Sequence, residues 1–294
     1  MIGIDASDIR RTLDRVCKAA AMGVELVDLT EAELAARLPA MASGFAASVT
    51  ENFGVPRDRA EQEAERDLRA TLPDGVGTEG QLLRRAVVDG ADVGFLWLSL
   101  PGTTHPAMAW LSEIEVTAGE RGRGYGTQII AAGEEELRRR GIARLGLHVF
   151  GSNTGARRLY ERLGYRVLTQ VRARPLEPAP DDGTVTLAAT YERGVAPEGT
   201  LAYTVLADGA EVGSIRFGLP TPERPTTGLV VHLEIAPEQR RRGYGRRALA
   251  AAELEMSRHG VPRIGLRLPG EPAALAFGAA LGLPLVSQQM VKDL

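Results

Sequence analysis

Two stretches of this 294-residue chain repeat each other at a constant spacing. Residues 87–94 read VVDGADVG, and residues 206–213 read LADGAEVG. Further along, residues 121–126 read RGRGYG, and residues 240–245 read RRRGYG. Both pairs lie 119 residues apart, so the sequence between them is collinear in two copies. Units of this length indicate a duplicated globular domain rather than a solenoid of short repeats.

The two copies differ in length. Leu163-Gly164 corresponds to Leu281-Gly282 at a spacing of 118, so the second copy lacks one residue. Residues 174–183 contain three prolines and a glycine, a composition that predicts a stiff linker. We therefore predict a helical extension over 1–24, a first domain over 25–175, a linker over 176–183 and a degenerate second domain over 184–294.

Each copy has the same predicted order of elements. An Asp-Gly pair between apolar runs is typical of a β-hairpin, and it predicts strands near 82–88 and 92–100 and again near 201–207 and 211–219. In the first copy a strand near 107–116, a helix over 127–140, a strand over 144–150, a helix over 154–163 and a strand from Tyr165 follow. The first copy also has a helical region over about 31–70, where the second has only a strand-like run at 184–187.

The helix predicted over 127–140 has one apolar side and one charged side. Glu134, Glu135 and Glu136 each precede an arginine by four residues, a spacing that favours ion pairs along an exposed helix face. We therefore expect this helix to face solvent with its glutamates.

The repeated turn lies between a strand and a helix. Its glycines allow consecutive N–H groups to point at one place, the helix N-terminus adds the positive end of its dipole, and arginine adds charge. This combination suits a diphosphate. A Rossmann dinucleotide site is an alternative, but Ile129 stands where its third glycine belongs, and the preceding strands form hairpins. A turn that only caps a helix is the other alternative, and its recurrence in two copies favours phosphate binding.

Two segments together resemble the GNAT N-acetyltransferase superfamily. The turn RGRGYG resembles the R/Q-x-x-G-x-G/A signature of these enzymes, and NTGARRLYERLGY at 153–165 resembles their N-x-x-A-x-x-x-Y-x-x-x-G-F/Y segment. The resemblance covers about 25–175 as a full domain and about 184–294 as a truncated one. It implies tandem α/β (α+β) folds, each with a mostly antiparallel mixed sheet and flanking helices.

The resemblance also implies where acetyl-CoA or another acyl-CoA binds. In the family, the turn holds the coenzyme A pyrophosphate, and the strand before it splays from the strand after the helix to admit pantetheine. Here this implies backbone contacts from Ile114 and Val116 and a hydrogen bond from Asn153. The other predicted cofactor-binding residues are Arg121, Gly122, Arg123, Gly124, Tyr125, Gly126, Thr127 and Arg157.

Acyl transfer from a thioester to an amine needs a neutral amine, a stabilised oxyanion and a proton for the sulfur. The resemblance implies that Tyr160 donates this proton, with a core tyrosine as the structural alternative. The family often places a carboxylate or a water relay on the strand before the turn, where Glu113 and Glu115 lie. Glu113 is the candidate base, although strand alternation also allows a solvated face.

The second copy departs from this pattern. Gly278 occupies the position of Tyr160, and PGEP at 269–272 replaces the region of Asn153. We therefore expect catalysis in the first domain, and in the second a cofactor-binding or packing role, or lost activity. Its candidate cofactor-binding residues are Arg240, Arg242, Gly243, Tyr244 and Gly245.

Composition restricts the partners. A formal net charge of −3 argues against nucleic acid, and no apolar run is long enough to span a membrane. No secretion signal is evident at the N-terminus, so a cytoplasmic location is expected. The lone cysteine, Cys17, is interpreted as a structural thiol rather than a nucleophile, and the four histidines show no metal-ligand spacing, so no metal is expected.

We expect an enzyme that moves an acetyl or small acyl group to the primary amine of a small molecule. The donor is a pantetheine thioester, carried by coenzyme A or by an acyl carrier protein. The alternative is a non-catalytic acyl-CoA-binding module that regulates a partner. Tyr160 and Asn153 favour the enzyme because binding alone does not require them.

Overall fold

The computed structural model describes residues 23–177, 183–190, 200–221 and 226–294. Most of the predicted extension over 1–24, including Cys17, and most of the predicted linker over 176–183 lie outside the described residues. The elements of the first half are β1 Glu25–Asp28, α1 Glu31–Phe53, α2 Arg57–Thr71, β2 Gln81–Val88, β3 Ala91–Ser99, β4 Ala109–Val116, α3 Tyr125–Arg139, β5 Arg144–Phe150, α4 Thr154–Arg162 and β6 Arg166–Pro175. Those of the second half are β7 Val185–Ala189, β8 Thr200–Ala207, β9 Ala210–Gly218, β10 Thr227–Ile235, α5 Tyr244–Arg258, β11 Arg263–Pro269, α6 Pro272–Ala280 and β12 Leu285–Asp293.

Both predicted hairpins form. Asp89 and Gly90 have φ angles of 51° and 79°, and Asp208 and Gly209 have φ angles of 48° and 76°. Two consecutive residues with positive φ are typical of a type I′ turn, whose twist matches that of the flanking strands. The Asp-Gly pairs therefore define the ends of β2, β3, β8 and β9.

The twelve described strands form one sheet in the order β1-β2-β3-β4-β5-β12-β6-β11-β10-β9-β8-β7. Strand β12, the last of the second half, lies between β5 and β6 of the first half. Strand β6 in turn lies between β12 and β11 of the second half. The two halves therefore exchange their last strands, and the sheet runs through both without an edge between them.

The exchanged strands carry cations to buried carboxylates. Glu134 of α3 is 4% exposed and accepts a hydrogen bond from Lys292 of β12 at 2.7 Å. Its counterpart in the repeat, Glu253 of α5, is also 4% exposed and binds Arg174 of β6 at 2.8 Å. The expectation that Glu134 faces solvent is wrong, because β12 brings Lys292 next to it. Each half thus supplies a counter-ion for a buried glutamate of the other, in addition to Arg138, which lies 3.4 Å from Glu134 within the first half.

Helices cover the sheet on both faces. On β3, Leu96 packs in the cluster formed by α3 and α4, whereas Phe95 packs in the cluster beneath α1. Successive side chains of a strand point to opposite faces, so α1 lies opposite α3 and α4. Helices α5 and α6 pack on the second half as α3 and α4 do on the first.

The corner between α1 and α2 extends over the second half. The Thr226 hydroxyl donates to the Phe53 carbonyl at 3.0 Å, and Arg263 donates to the Asn52 carbonyl at 3.4 Å. The predicted fold class, a mostly antiparallel mixed sheet with flanking helices, is confirmed. No helix in the described ranges is both long enough and apolar enough to cross a membrane.

Candidate active site

A cleft opens between β4 and β5. Their parallel pairing covers only Ala109–Leu111 against Leu145–Leu147. Strand β4 remains paired with β3 as far as Val116, with a bulge at Ser112. A bulge bends a strand and increases its twist, and here it lies where β4 leaves β5. Beyond this point, the side of β4 that faces β5 has no strand partner among the described residues.

The Gly-rich turn connects β4 to α3. Gly122 and Gly124 have φ angles of 79° and 83°, which L side chains rarely adopt. The backbone N–H groups of residues 121–126 donate to no acceptor in the part of the chain that the structure describes. The N-terminus of α3 adds the positive end of a helix dipole. This row of unused donors fits a diphosphate.

Two predicted cofactor-binding arginines bind to nearby protein groups. The Nε of Arg121 donates to the Val116 carbonyl at 3.2 Å, and Arg123 pairs with Glu120 at 3.1 Å. The Val116 carbonyl thus shares its acceptor capacity with Arg121, and its second lone pair and the Val116 N–H remain for the predicted pantetheine contact. Both guanidinium groups lie on an exposed turn and retain further donors.

The remaining predicted residues of this region lie around the first turn of α3. Ile114 and Tyr125 pack partly buried against the core of the first half, while Thr127 is exposed. A Cβ added at Gly126 would lie 3.4 Å from Leu159 of α4. The glycine therefore lets α4 lie close to the start of α3.

Asn153 and Arg157 take part in the start of α4. Asn153 caps the helix, its side-chain oxygen accepting from the Ala156 N–H at 3.0 Å. Its side-chain amide nitrogen has no partner among the described residues and is the group left for the predicted cofactor contact. Arg157 donates to the Gly151 carbonyl at 3.1 Å, which ties it to the loop before α4.

Tyr160 has a buried ring and an unused hydroxyl. The residue is 5% exposed, and its ring meets that of Tyr165 edge to face at 5.7 Å. The Tyr165 hydroxyl donates to Glu134 at 3.0 Å, but the Tyr160 hydroxyl has no hydrogen-bond partner within the described ranges. Buried tyrosines usually find a partner for this group. The Tyr160 phenol is therefore available to a ligand.

The two glutamates of β4 have different surroundings. Glu115 pairs with Arg37 of α1 at 3.1 Å. Glu113 has no cationic partner among the described residues, and burial, together with the Glu115 charge, raises its pKa to about 7. Burial and the nearby Glu113 carboxylate also raise the pKa of Tyr160. Glu113 and Tyr160 thus lie close enough for their charges to interact, and a carboxylate with a pKa near the working pH suits a general base.

The second half has a similar turn. Arg240 donates to the Ile235 carbonyl at 2.9 Å, as Arg121 does to Val116. The Arg242 carbonyl accepts from Arg247, Gly243 has a φ angle of 84°, and Tyr244 and Gly245 begin α5. Arg241 has a φ angle of 65° at the position of Gly122. A non-glycine residue in this conformation costs about 1–2 kcal/mol.

The catalytic positions of the second half carry other residues. His232 stands at the position of Glu113, with its Nε2 3.1 Å from the Ser214 hydroxyl. Gly278 stands at the position of Tyr160, and a Cβ added there would contact Leu268 and lie 3.1 Å from Arg172. The space that a tyrosine would need is therefore already filled.

A cavity of about 560 Å³ lies between the corner of α1 and α2 and the strands where the halves meet. His148 of β5 and Arg267 of β11 line it, and neither was predicted as a site residue. Partial desolvation at the cavity wall lowers the pKa of the His148 imidazole, so it is neutral near pH 7. One sequence signal was present: His148 interrupts an apolar strand on the face opposite Leu147 and Val149.

Comparisons with known proteins extend over both halves. A model of the Acetyltransferase (GNAT) family matches residues 46–165 and again residues 169–282. The chain is 33% identical over 106 residues to the uncharacterized N-acetyltransferase YycN of Bacillus subtilis, covering 36% of this chain and 68% of that protein. It is 27% identical over 154 residues to the uncharacterized N-acetyltransferase YdgE of the same organism, covering 52% of this chain and 98% of that protein.

A solved structure resembles the chain over nearly its whole length. The crystal structure of a GCN5-related N-acetyltransferase from Sphaerobacter thermophilus has a TM-score of 0.51 and 18% sequence identity. The similarity covers 92% of this chain and 95% of that one. At this level of identity, the likeness is one of fold.

Proposed function

Since the chain belongs to the acetyltransferase (GNAT) family, we propose that its first half transfers an acetyl or small acyl group to the primary amine of a small molecule. The predicted superfamily, its tandem arrangement and the enzyme class, a GNAT-type N-acyltransferase, are confirmed. The choice of donor, acceptor and catalytic half is our proposal. The observation that carries it is the buried Tyr160 phenol, which has no partner among the described residues and lies within range of the Glu113 charge.

The first turn is suited to hold acyl-CoA. The N–H groups of residues 121–126 are unused donors, and Arg121 and Arg123 add positive charge near them. The unpaired side of β4 beyond Leu111 is suited to bind an extended pantetheine arm. When bound, acyl-CoA supplies an activated thioester. An acyl carrier protein presents the same pantetheine group and is the alternative donor.

Glu113 and Tyr160 divide the proton transfers. An amine is largely protonated near pH 7 and must lose a proton before it can attack, and Glu113, with a pKa of about 7, accepts that proton. Tyr160 holds a proton for the departing sulfur. Its raised pKa keeps the phenol protonated across the physiological range. Glu113 can thus act as a deprotonated base while Tyr160 acts as a protonated acid.

A non-catalytic acyl-CoA-binding module is the second candidate. The second half fits this description better than the first, because Gly278 and His232 replace the acid and the base while the arginine-rich turn remains. In the first half, binding alone gives no reason for a buried tyrosine with an unused hydroxyl. We therefore assign catalysis to the first half.

The test is acyl transfer by the full chain. Acetyl-CoA and a panel of primary amines are supplied, and free thiol and acylated amine are measured, the latter by mass spectrometry. The matched variants are Glu113→Gln and His232→Gln, which alter equivalent positions of the two halves. We expect the first to lower turnover and the second to leave it unchanged. Loss of transfer in His232→Gln alone, or no acylated amine with any acceptor, would contradict the proposal.

A further inference from the structure

Both halves of the chain build the cavity of about 560 Å³. The first half contributes Phe45 and Phe53 of α1 and His148 of β5, while the second contributes Arg267 of β11 and Gln289 of β12. The volume falls within the range of about 300–1,000 Å³ that is usual for small-molecule sites. The strand exchange places these residues together, because β12 lies directly beside β5.

The walls differ in chemistry from one side to the other. The α1 side is apolar, with Phe45, Val49 and Phe53. The sheet side carries uncharged hydrogen-bonding groups from the exchanged strands, namely Thr169, Gln170, Ser287, Gln288 and Gln289. Such a site can bury an organic molecule and fix its orientation through a few polar contacts.

Among the described residues that line the cavity, one cation has no hydrogen-bond or ion-pair partner. Arg59 pairs with Glu63 at 2.9 Å, and Arg66 lies 3.8 Å from Asp67. Arg267 also lines the cavity, and its guanidinium has no hydrogen-bond or ion-pair partner in the described part of the chain. A guanidinium with unused donors is suited to a carboxylate or a phosphate.

His148 and Arg267 are equivalent positions of the repeat, 119 residues apart, and give the cavity two different ends. Their strands are three steps apart in the order β5-β12-β6-β11, which separates the backbones by about 14 Å. His148 directly follows Leu147, the last residue of β5 that pairs with β4. The His148 end of the cavity therefore lies where the first cleft opens. The neutral imidazole tolerates an ammonium group there, whereas Arg267 repels one.

We propose that this cavity binds the acyl acceptor, and that the acceptor is a small primary amine that also carries a carboxylate or phosphate group. The anionic group binds Arg267 of the second half, and the amine points past His148 toward Glu113. The inference rests on the proposed function of the first half. It gives the second half a part in the reaction, which is to select and orient the acceptor.

The test uses three primary amines of equal length that end in a carboxylate, a phosphate or a carboxamide. The full chain, Arg267→Gln and the control Arg144→Gln are compared at saturating acetyl-CoA. Arg144 is an exposed strand arginine outside the cavity, paired with Asp293. We expect Arg267→Gln to raise KM for the preferred anionic amine by about 10- to 100-fold, with little change in kcat. KM for the carboxamide should not change, and Arg144→Gln should behave as the unaltered chain. Comparing the carboxylate and phosphate amines identifies the anionic group.

Binding of the three amines without acetyl-CoA, measured by thermal shift, separates this inference from the proposed function. A shift with an anionic amine that is lost in Arg267→Gln supports the acceptor site even if no acyl transfer occurs. Equal use of the carboxamide and the anionic amines, or an unchanged KM in Arg267→Gln, would overturn the inference while leaving the proposed transfer intact. No shift with either anionic amine, together with no transfer, would also overturn it.

Discussion

Tyr160 and Tyr165 lie in ring contact in the first half but use their hydroxyls differently. Tyr165 donates to the buried Glu134 and belongs to the core. The Tyr160 hydroxyl has no partner among the described residues, and the Glu113 charge acts on it. Spacing within the motif identified Tyr160, but only the surroundings of each hydroxyl distinguish a structural tyrosine from a candidate acid. Glu113 and Glu115 differ in the same way, since Arg37 pairs with Glu115 and not with Glu113.

Replacing Tyr160 with phenylalanine tests the proton donor. Tyr160→Phe should lower kcat by about 10²- to 10⁴-fold, because the phenol proton is needed only as sulfur leaves. The affinity for acetyl-CoA, measured by calorimetry, should stay close to that of the unaltered chain. Tyr203→Phe removes a tyrosine hydroxyl from the second half and is the matched control. An unaltered rate in Tyr160→Phe would mean that another group protonates the thiolate.

The pKa of Glu113 predicts the pH dependence. A base works when it is deprotonated, and burial raises this pKa to about 7, so kcat/KM should rise with pH through about 7. The acceptor ammonium loses its proton at higher pH and gives a separate rise in the pH profile of kcat/KM. Glu113→Gln should remove the limb near pH 7. Glu115→Gln should keep that limb but move it to lower pH, because the Glu115 charge helps to raise the pKa of Glu113. A profile that is the same in all three proteins would exclude Glu113 as the base.

The turn before each long helix shows how one element differs between the halves. Both turns have a glycine in left-handed conformation immediately before the helix, at Gly124 and Gly243. The first turn has a second such glycine, Gly122, where the second has Arg241 in the same conformation. The first turn therefore forms at lower conformational cost, which favours it as the acyl-CoA site.

Gly124→Val tests the turn as a binding element. A Cβ at this position would meet no other group, so the effect would come from the positive φ, which β-branched residues strongly disfavour. We expect the variant to lose acetyl-CoA binding measured by calorimetry. Gly243→Val makes the same change in the second turn and should leave binding by the first half unaltered. Normal binding in Gly124→Val would contradict the pyrophosphate assignment.

The stability of the whole molecule depends on the exchange of β6 and β12 between the halves. Without β12, strands β5 and β6 lose their pairing with it, and Glu134 loses Lys292. Among the described residues, Glu134 then keeps only the more exposed Arg138 as a cationic partner, 3.4 Å away, and breaking a buried ion pair costs up to about 3–5 kcal/mol, a large part of the net stability of a typical domain. The second half lacks the N-terminal helices, so one face of its sheet must be covered by packing against the first half, and its removal should destabilise the first half. Pairing along the exchanged strands supplies a further and more direct cause.

Expressing residues 1–178 alone tests this dependence. The fragment lacks β12, so its thermal unfolding temperature should be far below that of the full chain, and acyl transfer should be lost. Circular dichroism and the thiol-release assay measure the two effects. Full-length Lys292→Met keeps the strand and removes only its ion pair, so it should lie between the fragment and the full chain in stability. A fragment as stable and active as the full chain would show that the halves are independent.

Much of the fold and part of the candidate site follow from the sequence. The Asp-Gly pairs, the glycines of the turns and the cap at Asn153 act through residues close in sequence, so their elements were predicted to within a few residues. The motif spacing likewise identified the family, and it gave Tyr160 as a candidate site residue. The domain boundaries and the roles of the site residues stay predictions.

Tertiary structure alone decided what depends on residues far apart in the chain. No local pattern specifies that β12 pairs with β5, because the partner of a strand depends on which edges the rest of the sheet leaves open. The burial of Glu134 and the cavity that joins His148 to Arg267 both follow from that pairing. The sequence therefore determined the two copies and their turns. Their joining into one continuous sheet required strands that are far apart in the sequence to pair.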